Sequence, residues 1–279
     1  MVTDVWTDAV RQQLGLGRIL PLGEPSDGTW ITERAAAGVL RRAADGLHGV
    51  RTGRIRLSLA DPGASGKPEV PPPASALPPG PLRVEAEFAA WTRQSLPATA
   101  ERLRELLLAA AEHDLGLEVK AVDLRVTDLL DGEPGPGEPP DPDSRGRDER
   151  EGIEHGRDAH LGGRDGDTTA PAGRSTPDDE GSQRGGAEPG TVRHVTDAVL
   201  AVPGVTRLAP ALGGLARAVR FHDEDEPQRR HVEVQLATAL GHRALDVTRS
   251  VRSAVTAAAA ADTAALVSVA VVVTAVEQP

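Results

Sequence analysis

Hydrophobic positions along this chain change period in an order that occurs twice. Between Thr32 and Ala44 the apolar residues Ala36, Val39, Leu40 and Ala43 fall at helical spacing, with Thr32 placed to cap the first turn and Glu33 inside it. Residues 53–59 alternate instead, with Ile55, Leu57 and Leu59 on one side and Arg54, Arg56 and Ser58 on the other. That is the period-two pattern of a strand with one face in water. A second strand is predicted over 82–88, then a helix over 98–113 through Leu103, Leu106, Leu107 and Ala110, then another strand over 119–129. The order is helix, strand, strand, helix, strand.

The same order returns after residue 190. A helix is predicted over 192–202, a strand region from Arg207–Leu208 and 216–221, and its partner over 231–237, with 223–227 as the turn between them. A second helix over 244–260 gathers Val247, Val251, Ala254 and Val255 on one face, with Arg249, Arg252 and Ser253 away from it. Residues 264–276 close the chain as an apolar run. Three landmarks align the copies: the Gly-Val pairs at Gly49 and Gly204, Val84–Phe88 with Val232–Leu236, and Val122–Thr127 with Val269–Thr274. Gly49 and Gly204 suit a left-handed turn that ends the opening helix of each copy. A duplicated small domain is the economical explanation.

The chain therefore reads as α+β, with two small helix-strand-strand-helix-strand domains in divergent tandem. Residues 1–27 form an N-terminal amphipathic helix and lead-in, and 28–130 the first domain, with a proline-rich loop at 62–81. Proline there lacks the backbone donor and fixes its own φ, so neither a helix nor an interior strand fits. Residues 131–190 form a disordered acidic linker, because large apolar side chains fall there to Ile153 and Leu161, too few to offset chain entropy. The second domain occupies 191–279.

Charge sharpens this division. Of the net −11, the linker carries −9, from sixteen acidic residues against seven arginines. The folded halves are close to neutral, which argues against long-range attraction to nucleic acid or anionic lipid. The chain has no cysteine, which excludes thiol catalysis, disulfides and thiolate metal sites. With two phenylalanines, three tryptophans and no tyrosine, aliphatic residues and alanine must build the cores. No secretory signal pattern opens the sequence, and a cytoplasmic location is expected. The closing apolar run is short of the roughly 20 residues a membrane span needs, and it aligns with the Val122 strand, so a central strand buried on both faces is expected.

No catalytic or ligand-binding motif in the chain is complete. Gly63–Pro68 resembles the end of a phosphate-binding loop, but Pro68 replaces the hydroxyl that would hold magnesium. Gly15 and Gly17 lack the third glycine of a dinucleotide fingerprint. Asp141–Gly146 begins like a calcium loop, yet Arg145 occupies a ligand position and Gly152 the place of the bidentate glutamate. His155 and His160, with Asp158, Asp165 and Asp167, lie within the acidic linker and form no built metal site, and the other histidines are scattered. The chain is read as non-enzymatic, with no cofactor and no metal. The candidate interaction residues are the arginines on the strand and helix faces, Arg54, Arg56, Arg249 and Arg252.

The run Gly28-Thr29-Trp30-Ile31-Thr32-Glu33, continued by Ala43-Ala44 and Gly49-Val50 and then by Leu115–Val119 and Val122–Val126, resembles the alkaline shock protein family of Gram-positive bacteria, also called envelope stress response proteins. Together with Trp6–Gly17, the pattern is similar to two-copy actinobacterial proteins that carry the label nucleopolyhedrovirus p-ten family. The resemblance is strongest over 28–130. The second copy lacks the strand-like lead-in before its first helix. What the resemblance implies is a non-enzymatic scaffold in cell-envelope stress homeostasis, cytoplasmic and peripheral at the inner face of the membrane. It would be held there by a small membrane-anchoring protein, by family paralogues or by self-association. The alternative is an RNA-binding module that uses basic strand faces, centred on Arg51, Arg54 and Arg56. The missing aromatic platforms weigh against it.

Overall fold

The computed structural model describes residues 17–92, 95–131, 188–210, 218–224, 229–261 and 265–278, all within one compact unit. In chain order the elements are β1 (Ile19–Pro21), β2 (Thr29–Thr32), α1 (Glu33–Asp45), β3 (Val50–Leu59), β4 (Leu82–Trp91), α2 (Leu96–Ala109), β5 (Val119–Leu130), α3 (Pro189–Leu200), β6 (Val205–Leu208), β7 (Val219–Glu224), β8 (Arg229–Ala239), α4 (Ala244–Ala260) and β9 (Leu266–Glu277). This is the expected α+β composition. A three-stranded sheet runs β3-β4-β5, and a larger one runs β1-β2-β9-β8-β6, with β7 also paired to β8.

Local chemistry explains the helix ends. Thr32 is extended, and its hydroxyl accepts from the Ala35 amide at 3.3 Å, which satisfies one of the donors left open in the first turn of α1. Small residues then bury the helix closely: Ala35, Ala36, Ala37 and Ala44 flank Val39 and Leu40. α1 packs on β3 of one sheet and on β9 of the other. Helix α2 carries proline in its first turn, where the missing donor costs nothing. It runs on through a wider turn, Ala110–Leu115, and ends on left-handed Gly116.

The two sheets correspond strand by strand. β3 lies antiparallel to β4 and β4 parallel to β5; likewise β6 and β7 lie antiparallel to β8, and β8 parallel to β9. Val50 pairs with Ala90 as Val205 pairs with Thr238, and Val84 pairs with Val122 as Val232 pairs with Val269. Even the irregularities correspond. One ladder passes over Thr127 between Val126 and Asp128, and the other passes over Thr274 between Val273 and Ala275.

Gly49 and Gly204 are both left-handed, at φ 86° and 89°. They do not themselves cap the helices. Gly46 and Ala201, both right-handed, hold the cap positions, and the left-handed residue falls a few residues on, where the chain turns into β3 or β6. Each turn glycine offers its carbonyl to the end of the neighbouring strand, Gly49 to the Trp91 amide at 3.1 Å and Gly204 to the Ala239 amide at 2.8 Å.

The structure departs from the expected division in how the sheets are drawn. β2 precedes α1 in the first half, but it pairs in parallel with β9 of the second, Thr29 opposite Val271 and Ile31 opposite Val273. One core cluster accordingly runs through both halves, from Leu20 and Ile31 through Phe88 and Leu107 to Val232, Val251 and Val273. The halves 28–130 and 191–279 therefore share a sheet and a core. The loop at 62–81 is not extended throughout, because it opens on a short 3-10 turn, Pro62–Ala64, where proline takes a first-turn position and the Asp61 carboxylate accepts from the Gly63 amide at 2.9 Å. The loop also reaches across: Leu77 donates to the Ile19 carbonyl at 2.8 Å, and Val70 joins Trp30, Ala270 and Val272 in a second apolar cluster.

Strand β9 lies between β2 and β8, and Val269 to Val273 are at most 1% exposed. Among the described residues no helix is long and apolar enough to cross a membrane. The N-terminal helix, nearly all of the acidic segment with His155 and His160, and most of the 223–227 turn lie outside the described residues. α3 starts at Pro189, slightly inside the range assigned to the linker.

Candidate interaction surface

The first sheet ends in a bare strand. Among the described residues β5 pairs with β4 on one side and with nothing on the other, whereas its counterpart β9 has β8 on one side and β2 on the other. A strand edge presents a row of main-chain donors and acceptors, which is a template for another strand. Along this edge Val126 is 42% exposed and Leu129 49% exposed, while Val273, which corresponds to Val126, is fully buried.

Sequence reasoning missed these two residues because a strand that reads as half-buried is silent about which edge of the sheet it occupies. The signal was present in the second half, whose sequence lacks a strand-like lead-in. The structure shows that the lead-in strand of the first half covers the last strand of the second.

Arg54 and Arg56 are exposed on β3 as expected, at and just beyond the irregularity between Thr52 and Ile55. The outer face of their sheet is not a uniform basic patch. Arg51 faces Asp128 at 3.8 Å, Arg83 faces Asp123 at 3.2 Å, and Arg125 faces Glu87 at 3.7 Å. These pairs are exposed, so each contributes little to stability and chiefly sets the pattern of charge.

Arg249 and Arg252 have a different destination. Arg249 makes two parallel 2.8 Å hydrogen bonds to the carboxylate of Asp27, and Arg252 donates to the Ser26 carbonyl at 2.6 Å. Asp27 also accepts from the Glu24 amide at 2.7 Å, so it closes the turn before β2 and fastens that turn to α4. Burial pushes the Asp27 carboxyl upward. The hydrogen bonds from Arg249 and Glu24, with the charges of Arg249 and Arg252, outweigh that and hold it below its ordinary value. Arg249 is raised by the bond to Asp27. At the far end of β9 the hydrogen bond from Arg207 lowers Glu277, with Nη2 to Oε1 at 2.5 Å. The two helix arginines thus join the halves, and the structure does not bring them together with Arg54 and Arg56 into one surface.

Two of the scattered histidines meet. His222 and His231 stack across β7 and β8 with ring centroids 6.2 Å apart, and His231 Nδ1 lies 2.9 Å from the Ser268 hydroxyl on β9. Beside them Glu233 is 8% exposed and is held by Arg220 at 3.1 Å and by Gln235 at 2.7 Å. Among the described residues no three histidine or acidic side chains gather as metal ligands. Comparison with protein-family models, with curated proteins and with solved structures finds no match to this chain.

Proposed function

We propose that this chain is a non-enzymatic interaction protein, built from two divergent copies of one module, that serves as a scaffold in cell-envelope stress homeostasis at the cytoplasmic face of the membrane. The observation that carries the interaction reading is the bare β5 edge with Val126 and Leu129 exposed beside it. Such an edge binds through main-chain hydrogen bonds and asks for no special chemistry from either side. The corresponding registers and bulges of the two sheets support a duplicated module. The envelope setting and a small membrane-anchoring partner come from the resemblance to the alkaline shock proteins. The RNA-binding alternative is disfavoured by the acidic residues interleaved with arginine on the outer face of the first sheet.

Fractionation of cells that express the tagged chain tests this reading. The expected result is membrane association released by an alkaline carbonate wash, with a small membrane protein co-purifying. A pool that stays entirely in the soluble fraction without such a partner would count against it.

A further inference from the structure

We propose that two copies of this chain join edge to edge through β5, antiparallel, with Leu124 facing Leu124 of the second copy. The inference rests on reading the chain as an interaction protein and names the partner that its bare edge fits.

The covered edge of β9 shows which groups on β5 point outward. There the Val269 carbonyl lies against Gly28, and the Val271 amide donates to the Gly28 carbonyl at 3.0 Å. Val122 and Leu124 hold the corresponding places on β5. The Val122 carbonyl does face outward, since Arg104 reaches it from α2 at 3.4 Å. Arg252 is the matching helix residue in the other half, and it holds the Ser26 carbonyl of the covering segment. In a strand the donor and acceptor of one residue share a side, so Val122, Leu124 and Val126 offer both to an incoming strand. Only the long, weak bond from Arg104 has to be released.

The side chains of β5 are self-complementary in this arrangement. With Leu124 on the twofold axis, Val122 lies opposite Val126 of the second copy, so apolar residues meet on the core side. On the outer face Asp123 lies opposite Arg125, and Arg125 opposite Asp123. Opposite charges therefore meet at the closely spaced, non-hydrogen-bonded positions of the ladder. Both are exposed and are steadied within their own sheet by Arg83 and Glu87. A twofold axis pairs the same surface with itself, and alternating acid and base around one central residue satisfies that requirement. A contact confined to one strand edge falls in the small class of interfaces, so affinity on the order of micromolar or weaker is expected.

The test is sedimentation of the full chain over a range of concentrations, with Asp123→Arg and Arg125→Asp as variants and circular dichroism to verify that each folds. The wild-type chain should dimerise. Each single variant places like charges opposite one another and should weaken dimerisation by about tenfold or more. An equal mixture of the two variants restores opposite charges at both positions and should recover dimers. A wild-type chain that stays monomeric, single variants that dimerise as well as wild type, or a mixture that fails to recover would each overturn the proposal. If the monomeric chain still co-purified with a membrane protein, self-pairing would fall while the interaction reading stood, and the edge would belong to that other occupant.

Discussion

Thr127 and Thr274 stand at matching bulges in two different sheets, and each hydroxyl reaches the carbonyl of the matching residue on the neighbouring strand, Phe88 at 3.3 Å and Leu236 at 3.2 Å. An extra residue leaves part of the ladder unpaired, and a threonine hydroxyl at that place can meet the orphaned acceptor. The environments differ. Thr127 is exposed, whereas Thr274 is 8% exposed, also reaches the Ala209 carbonyl at 2.8 Å, and offers its own carbonyl to Thr32 at 3.2 Å.

Replacing each threonine by valine keeps the shape and removes the hydroxyl. Thr274→Val is expected to cost about 1–2 kcal/mol, because buried carbonyls lose their donor. Thr127→Val should stay within about 0.5 kcal/mol, because water replaces the lost bond. Urea unfolding of the two variants reads the difference, and equal costs would show that the buried site is not closed to water.

Glycines offer a contrast of sign. A side chain at Gly204 would adopt φ 89° and meet Val247 and His242, so Gly204→Ala should destabilise by about 1–2 kcal/mol or more. Gly38 lies within α1 and a Cβ there meets nothing, so Gly38→Ala should stabilise by up to about 1 kcal/mol. Thermal midpoints moving in opposite directions would bear this out.

The pH dependence follows from Asp27. Its native carboxyl titrates below the ordinary aspartate value of roughly 3.9, so the ionised form is the one the fold favours. The stabilisation is fully present above the unfolded-state value and is lost as pH falls through the lower native one. Glu277, lowered by Arg207, acts in the same direction. Asp27→Asn should therefore be less stable than wild type at neutral pH, by about 1 kcal/mol. The gap should begin to narrow below about pH 4 and close as pH falls through the lower native value. A gap that persisted undiminished at low pH would mean that the carboxylate charge is not what Arg249 holds.

Much of this architecture was legible in the sequence because it is local or repeated. Period-two and helical spacing marked the strands and helices, and the alignment of Val84 with Val232 and of Val122 with Val269 anticipated the ladder registers. The glycine turns were legible because a left-handed residue leaves a compositional mark. The sharing of β2 between halves was not legible. Thr29 and Val271 are far apart in sequence, and a short lead-in strand carries no sign of the sheet it enters. The arginines of α4 misled for a related reason. Arg249 and Arg252 sit where a solvated helix face is expected, and only the fold brings Asp27 and Ser26 to them. Val126 and Leu129 pattern as ordinary strand residues and become conspicuous only once β5 is known to be an edge.

The shared sheet ties the two halves together, because β2 closes the second half, while β5 in the first pairs only with β4 among the described residues. Expressing residues 1–131 and 188–279 as separate chains tests it most directly, by measuring their binding and the unfolding of each alone. An equimolar complex that unfolds cooperatively is expected, with the 188–279 fragment losing its cooperative transition when alone because β9 is stripped of β2. Two fragments that each unfold cooperatively in isolation and do not bind one another would show that the halves do not depend on a shared sheet.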